Sequence, residues 1–322
     1  MDSLYDATGR HIHYLRVSVT DRCNFRCRYC MPEKTQWLES EHILSDEELL
    51  RIIGAFAQLG VNKVRITGGE PLVRSNIIPF LSHVAAIPGI RELVLTTNGS
   101  QLDKYAKSLR QIGVKRLNIS LDTLQRERFK QLTGQDALQC VLAGIRAAQA
   151  AGISSIKINM VVMKNVNSDE LADFAALTMK YPYQIRFIEY MPFISGTDYL
   201  MTANEMKDQL QVAGFHELIP EASDQSVAQI YRLTDAKGTI GFITPMSRHF
   251  CYSCNRIRLT ADGYLKPCLL ANQEYLLRED LRAGLSDADL LQKIRNVILN
   301  KPSQYDLSNG KKNDRSMVRI GG

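Results

Sequence analysis

No run of about eighteen apolar residues occurs anywhere in the 322-residue chain, so a membrane-spanning helix is not its organising feature. Its opening, "MDSLYDATGRHIHYL", has neither the basic segment nor the apolar stretch of a secretory signal. The expectation is a cytoplasmic protein with no membrane contact. A single stripe of charge is missing too: 40 Lys and Arg against 34 Asp and Glu give +6, spread along the sequence except in the tail "KKNDRSMVR". That balance permits an anionic partner but argues against nucleic acid, and a merely solvated basic surface stays open. With 45% hydrophobic and 23% charged residues the chain is not disordered, and its length suits one barrel-sized domain with a smaller appendage.

A fourth cysteine is missing twice. "TDRCNFRCRYCMP" puts Cys23, Cys27 and Cys30 within eight residues and then stops, and "HFCYSCNRIRLTADGYLKPC" supplies Cys251, Cys254 and, after thirteen intervening residues, Cys268. Cytosolic thiols stay reduced, so six clustered cysteines point to metal ligation rather than to disulfides. The seventh, Cys140 in "ALQCVLAGI", falls on an apolar helical pattern and reads as a buried structural thiol. Structural zinc takes four ligands, whereas three thiolates on an iron–sulfur cube leave one iron open to a cofactor. For the second triad, Cys3His zinc with His249 as the fourth ligand remains open beside a second open cluster.

The periodicity alternates strand with helix: "YLRVSV", "SDEELLRIIGAFAQLG", "KVRIT", "NIIPFLSHVAAI", "ELVLTT", "LDKYAKSLRQIG", "KRLNIS", "ALQCVLAGIRAAQAAG", "SIKINMVV", "SDELADFAALTMK", "QIRFIEY". Ser45 with Glu48 reads as a capping box, Ser168 before Leu171 as a weaker one, and Gly60, Gly113 and Gly152 as helix stops. Six such units imply a parallel sheet with right-handed crossovers. They fit an incomplete (β/α)6 TIM-type barrel, with an open doubly wound sheet as the alternative. After about Gly214 the pattern changes to short strands, "AQIYRLT" and "GTIGFIT", the second cysteine segment, and helices around 273–299. The expected division is therefore 1–214 as the partial barrel and 215–322 as a smaller α+β domain. The strand ends are polar: the cysteine loop, "TGGEP", "TTNG", "SLD", Lys157 with Asn159, and "IEYMP". In parallel α/β architectures such ends form the working face, although each alone reads equally as a turn or cap.

CxxxCxxC with Tyr29 before the last cysteine resembles the radical S-adenosylmethionine (SAM) superfamily. In that superfamily the open iron chelates SAM, and an electron from the cluster cleaves it to a 5′-deoxyadenosyl radical. Gly68 and Gly69 lack side chains that would keep a ligand from the backbone, and Glu70 offers a carboxylate to an ammonium group. "GGEP" also resembles the superfamily's motif for the SAM amine. Arg256 and Arg258 alternate as on a strand, which puts two guanidiniums on one face, suited to a polyphosphate; ordinary surface arginines are the other reading. With "CNRIRLTADG", "VRITGGEPLVR", "LTTNG", "NISLDTL", "IKINMVVMKNVN", "IRFIEYMP", "GFITPMS" and the terminal Gly-Gly, the resemblance narrows to the GTP 3′,8-cyclase family of molybdenum cofactor biosynthesis.

That resemblance implies two [4Fe–4S] clusters, on Cys23, Cys27 and Cys30 and on Cys251, Cys254 and Cys268. SAM would be held by Tyr29, Gly68, Gly69, Glu70, Ser120 and Met191, and GTP by Arg16, Arg65, Thr96, Lys157, Arg256 and Arg258. It places Arg319, Gly321 and Gly322 near the substrate, with Lys311, Lys312 and Arg315 also drawn towards a triphosphate. Further partners it implies are a flavodoxin- or ferredoxin-like electron donor, the downstream cyclic pyranopterin monophosphate synthase and a second copy in a homodimer. Two alternatives share the cysteines: a radical SAM enzyme acting on a peptide or other small molecule, and a zinc-stabilised nucleic-acid-binding protein.

Overall fold

The computed structural model describes residues 4–32, 34–193, 196–221, 227–305 and 315–321. The expected alternation is present as β1 (Tyr14–Ser18), α1 (Asp46–Gln58), β2 (Lys63–Thr67), α2 (Ile77–Ala86), β3 (Glu92–Thr97), α3 (Leu102–Ile112) and β4 (Arg116–Ser120). Two helices follow, α4 (Arg126–Thr133) and α5 (Leu138–Ala150), then β5 (Ser155–Val162), α6 (Leu171–Lys180) and β6 (Gln184–Glu189). Beyond them come α7 (Ala203–Val212), β7 (Ile219–Glu221), β8 (Ala228–Arg232), β9 (Thr239–Ile243), β10 (Arg256–Leu259), β11 (Tyr264–Lys266) and β12 (Tyr275–Leu276). The chain closes with α8 (Arg278–Arg282), α9 (Asp287–Leu299) and α10 (Met317–Ile320). Within the stretch expected to be helical around 273–299, residues 275–276 are thus a short strand.

Two compact units form, one from residues 1–96, 108–115 and 251–322, the other from 97–107 and 116–250. In the first, the strand order is β12-β11-β10-β1-β2-β3, with β10, β1, β2 and β3 parallel and β10, β11 and β12 antiparallel. Alternation sorts the side chains of β1: Leu15 and Val17 share a buried face with Val64, Ile66, Leu93 and Leu95, and Ile52, Ile53 and Phe56 of α1 are buried as well. Tyr14, Arg16 and Ser18 occupy the other face. In the second unit the order is β4-β5-β6-β9-β8-β7, with β4, β5, β6 and β9 parallel. Within each unit the strands β1-β2-β3 and β4-β5-β6 follow chain order with no reversal. That is the winding of a barrel and not of a doubly wound sheet, and the fold is an incomplete (β/α)6 barrel with a smaller C-terminal α+β part.

Local signals behave as their chemistry requires. Ser45 Oγ accepts the Glu48 N–H while the Glu48 carboxylate accepts the Ser45 N–H, so the capping box is formed. Gly60, Gly113 and Gly152 have positive φ just past α1, α3 and α5. Two expectations are corrected. Ser168 does not cap α6; it opens a 3-10 turn, Ser168–Glu170, and its hydroxyl accepts the Asn165 N–H at 3.3 Å. Cys140 is exposed, not buried: the inward positions of α5 are Leu138, Val141, Ile145 and Ala148, and that spacing turns residue 140 outward.

Candidate active site

Three neighbouring strands of the first unit carry one row of arginines. Arg16 on β1 stands in register with Arg65 on β2 and Arg258 on β10, and a second row, one pleat away, aligns Tyr14 with Lys63 and Arg256. The three arginines are 8%, 8% and 6% exposed. Burial first, then the charges of Arg258 and Arg65, drives Arg16 well below its ordinary value, while burial and Arg256 push Arg258 down to about 10. Burial alone would raise the Tyr14 hydroxyl, yet Arg65, Arg16, Lys63 and Arg256 pull it below its usual range. Among the described residues neither Arg16 Nε nor the Tyr14 hydroxyl has a hydrogen-bond partner. Buried like charges in register are costly to hold together, and an anion between them would relieve the cost. Arg65 also donates to the Thr96 hydroxyl at 3.4 Å.

The end of β1 leads directly into the first cysteine loop. Cys30 and Met31 both donate their N–H to the Cys27 carbonyl at 3.0 Å, forming a tight turn, and Phe25 N–H points at Cys23 Sγ at 3.4 Å. The Gly-Gly pair after β2 lies flat on this loop's base: Gly69 N–H donates to the Thr20 carbonyl at 2.7 Å and Glu70 N–H to the Arg22 carbonyl at 2.8 Å. A Cβ on Gly68 would come within 2.7 Å of the Thr20 oxygen, and one on Gly69 would overlap the Arg22 carbonyl. The glycines therefore permit close packing of one strand end on the other. Glu70 is fully buried and accepts the Leu72 N–H at 3.0 Å.

The second triad brackets a hairpin. Cys251 and Cys254 lie at a 3-10 turn before β10, and Cys268 follows β11. Burial would raise the Cys254 thiol, but Arg256 and Lys301 bring it down to about 6, favouring the thiolate that a metal needs. Among the described residues, the three His, Cys, Asp or Glu ligand atoms that lie within 4.8 Å of one another belong to Glu39, Glu41 and His42, all exposed. Neither cysteine triad is drawn together that tightly. Three thiolates leave a structural zinc short of its fourth ligand, whereas on an iron–sulfur cube they leave one iron open.

The tail reaches the arginine row. Gly321, with φ +77°, offers its carbonyl to Arg258 at 3.1 Å, Arg16 at 3.3 Å and the Thr67 hydroxyl at 3.3 Å. Arg315 anchors this segment between Asp262 and Glu274 and over the Tyr264 ring. Arg319 is turned elsewhere, donating to the Gln36 carbonyl. Gly322, Lys311 and Lys312 lie outside the described residues. In the second unit, Ser120 is in register with Asn159 and Arg186, and Asn118 with Lys157 and Gln184, making one polar face. Met191 lies two residues past the end of β6. Sequence reasoning passed over Tyr14 and Arg186, although the alternation in "YLRVS" and "QIRFIE" puts both on polar faces.

Comparison with known proteins agrees with this geometry. The model of the radical SAM superfamily matches residues 17–178, and that of the Molybdenum Cofactor Synthesis C family matches residues 183–307. The chain is 44% identical over 324 residues to a GTP 3′,8-cyclase of Moorella thermoacetica, covering 99% of this chain and 100% of that protein. To the GTP 3′,8-cyclase of Geobacter sulfurreducens it is 46% identical over 326 residues, 99% of each chain. Among solved structures, Streptococcus suis SuiB bound to S-adenosylmethionine superposes with a TM-score of 0.64 at 17% identity, covering 96% of this chain and 77% of SuiB, a likeness of fold.

Proposed function

Since the chain belongs to the GTP 3′,8-cyclase family of the radical SAM superfamily, we propose how its own residues divide the work of that reaction. The enzyme converts GTP to (8S)-3′,8-cyclo-7,8-dihydroguanosine 5′-triphosphate, the first step of molybdenum cofactor biosynthesis, using iron–sulfur and SAM chemistry. When bound, the cluster and SAM would supply a 5′-deoxyadenosyl radical to take the ribose C3′ hydrogen; joining C3′ to C8 then leaves an unpaired electron on the purine, which one further electron from the reductant and a proton would quench to give the 7,8-dihydro product.

Cys23, Cys27 and Cys30 would hold the SAM-cleaving cluster, and Tyr29, Gly68, Gly69, Glu70, Ser120 and Met191 the SAM molecule. The triphosphate falls to Arg16, Arg65, Arg256 and Arg258, with Thr96 and Lys157. The observation that carries this is the buried row Arg258, Arg16, Arg65, whose mutual repulsion a polyphosphate would neutralise. Cys251, Cys254 and Cys268 would hold a second [4Fe–4S] cluster whose open iron takes the purine. The Gly321 carbonyl, already on Arg16 and Arg258, would position substrate from the tail. On this reading the functional boundary lies near 214/215, with the SAM-cleaving cluster before it, the auxiliary cluster after it, and the GTP contacts drawn from both sides.

The working partners are a flavodoxin- or ferredoxin-like electron donor, the synthase that consumes the product and a second copy of the chain. The proposed site of action is the cytoplasm; no helix among the described residues is long and apolar enough to cross a membrane. Anaerobic incubation of the Arg16→Ala and Arg258→Ala variants with GTP, SAM and a reductant tests the assignment. SAM should still be cleaved while cyclised product is lost. Product at the wild-type rate would remove these arginines from the triphosphate site.

A further inference from the structure

Two of the buried cations that this assignment leaves without a role meet at the second triad. Lys301, just past α9, is 5% exposed, and its ammonium donates to the Arg256 carbonyl at 2.9 Å and to the Pro267 carbonyl. Among the described residues no carboxylate pairs with it. Arg10 is paired through Nε with Asp6, and its remaining N–H groups reach the carbonyls of Cys251 at 2.8 Å, Pro302 at 2.7 Å and Ser303 at 3.0 Å.

Together these contacts touch every member of the second triad through the backbone. Cys251 is held at its own carbonyl, Cys254 through Arg256 two residues on, and Cys268 through Pro267 immediately before it. The consecutive residues Lys301, Pro302 and Ser303 join the two cations into one brace. Charge supplies a second, independent argument. Burial pulls the Lys301 ammonium below its ordinary value, and the negative charge of Cys254 and Cys268 as thiolates acts in the opposite direction, so a charged centre on those cysteines would offset the cost of burying it.

We propose that Lys301, braced by Arg10, is the counter-ion and spacer of the second cluster. Its two carbonyl contacts set the separation of the cysteine segments before iron arrives. Its positive charge then stabilises the anionic thiolate-bound cluster and makes that cluster easier to reduce. Lys301 touches neither substrate nor iron, so it is a positioning residue. The inference rests on the assignment of Cys251, Cys254 and Cys268 to a second cluster.

The test is anaerobic reconstitution of the full chain with iron and sulfide counted, followed by a redox titration of each cluster's spectrum. Wild type should bind about eight irons per chain, four per cube. Lys301→Met should lose about half of them, with the first cluster's spectral response to SAM preserved as proof of folding. Lys301→Gln can still donate to one carbonyl but carries no charge. It should keep the iron while its second cluster titrates at a more negative potential than wild type, and it decides the matter if the Met variant does not fold. Full iron with wild-type spectrum and potential in the Gln variant overturns the proposal. A wild type holding only about four irons, unchanged by Cys254→Ser, instead removes the second cluster itself and the proposal with it.

Discussion

Arg258, Arg16 and Arg65 are opposite one another because three parallel strands put the same pleat position in register, and their burial makes each worth more to an anion than a surface arginine. A charge-assisted phosphate contact is worth about 1.5–3 kcal/mol, so Arg258→Ala should weaken GTP more than guanosine by about ten- to a hundredfold. Equilibrium binding of the two ligands to the reconstituted protein checks this. His13 makes a different kind of prediction. Its Nε2 faces the Asn255 amide at 3.0 Å and its Nδ1 the His11 carbonyl at 3.3 Å, the pattern of a neutral ring. Burial, the charge of His11 and that of Lys63 hold its pKa below the ordinary value, against the pull of the His11 carbonyl. Above about pH 6.5 the folded and unfolded chains are both neutral there. Below it the unfolded chain takes a proton that the folded one refuses, so stability falls as the pH drops. Thermal melts of the metal-free protein from pH 7.5 towards about 5.5 should show the decline, and His13→Asn should flatten it.

At the scale of elements, the two strand-end glycines and the tail carry the sharpest constraints. Gly69→Ala forces a methyl into the Arg22 carbonyl at the root of the cysteine loop, so it should cost the first cluster and SAM binding while the second cluster's iron stays. Iron content and the spectral change on adding SAM measure both. Gly321 has a left-handed φ, and a Cβ there would lie 2.5 Å from Thr67 Oγ1 and 2.9 Å from Ser18 Cβ. Gly321→Ala, like deletion of Gly321 and Gly322, should therefore unseat the tail and abolish cyclised product while reductive SAM cleavage continues. Arg315→Met should loosen the same segment by releasing Asp262 and Glu274, read as faster amide exchange over residues 315–321. The six strand–helix units were legible in the sequence because apolar periodicity and capping chemistry are local. Cys140 misled for the same reason: an apolar neighbourhood does not say which side of α5 faces inward. Arg10 and Lys301 had no signal at all, since a buried cation resting on backbone carbonyls 241 to 293 residues away, or on a hairpin 34 and 45 residues back, is written only in tertiary contacts.

For the molecule as a whole, both cysteine triads, the arginine row and the seated tail belong to one compact unit, although residues 1–96 and 251–322 that build it are far apart in sequence. The polar face of Asn118, Ser120, Lys157, Asn159 and Arg186 belongs to the other. A chain reading could recognise both triads by spacing. It could not see that β10 pairs with β1 and so brings Arg258 beside Arg16, because parallel pairing of strands 242 residues apart leaves no local trace. The central claim is that this assembly directs an adenosyl radical to C3′ of GTP. Its most direct test is anaerobic turnover of the reconstituted enzyme with SAM, a reductant and GTP carrying deuterium at C3′, with mass analysis of the 5′-deoxyadenosine. The account predicts one deuterium in the 5′-deoxyadenosine alongside the 3′,8-cyclised nucleotide. Unlabelled 5′-deoxyadenosine, with the deuterium still on GTP, would contradict it.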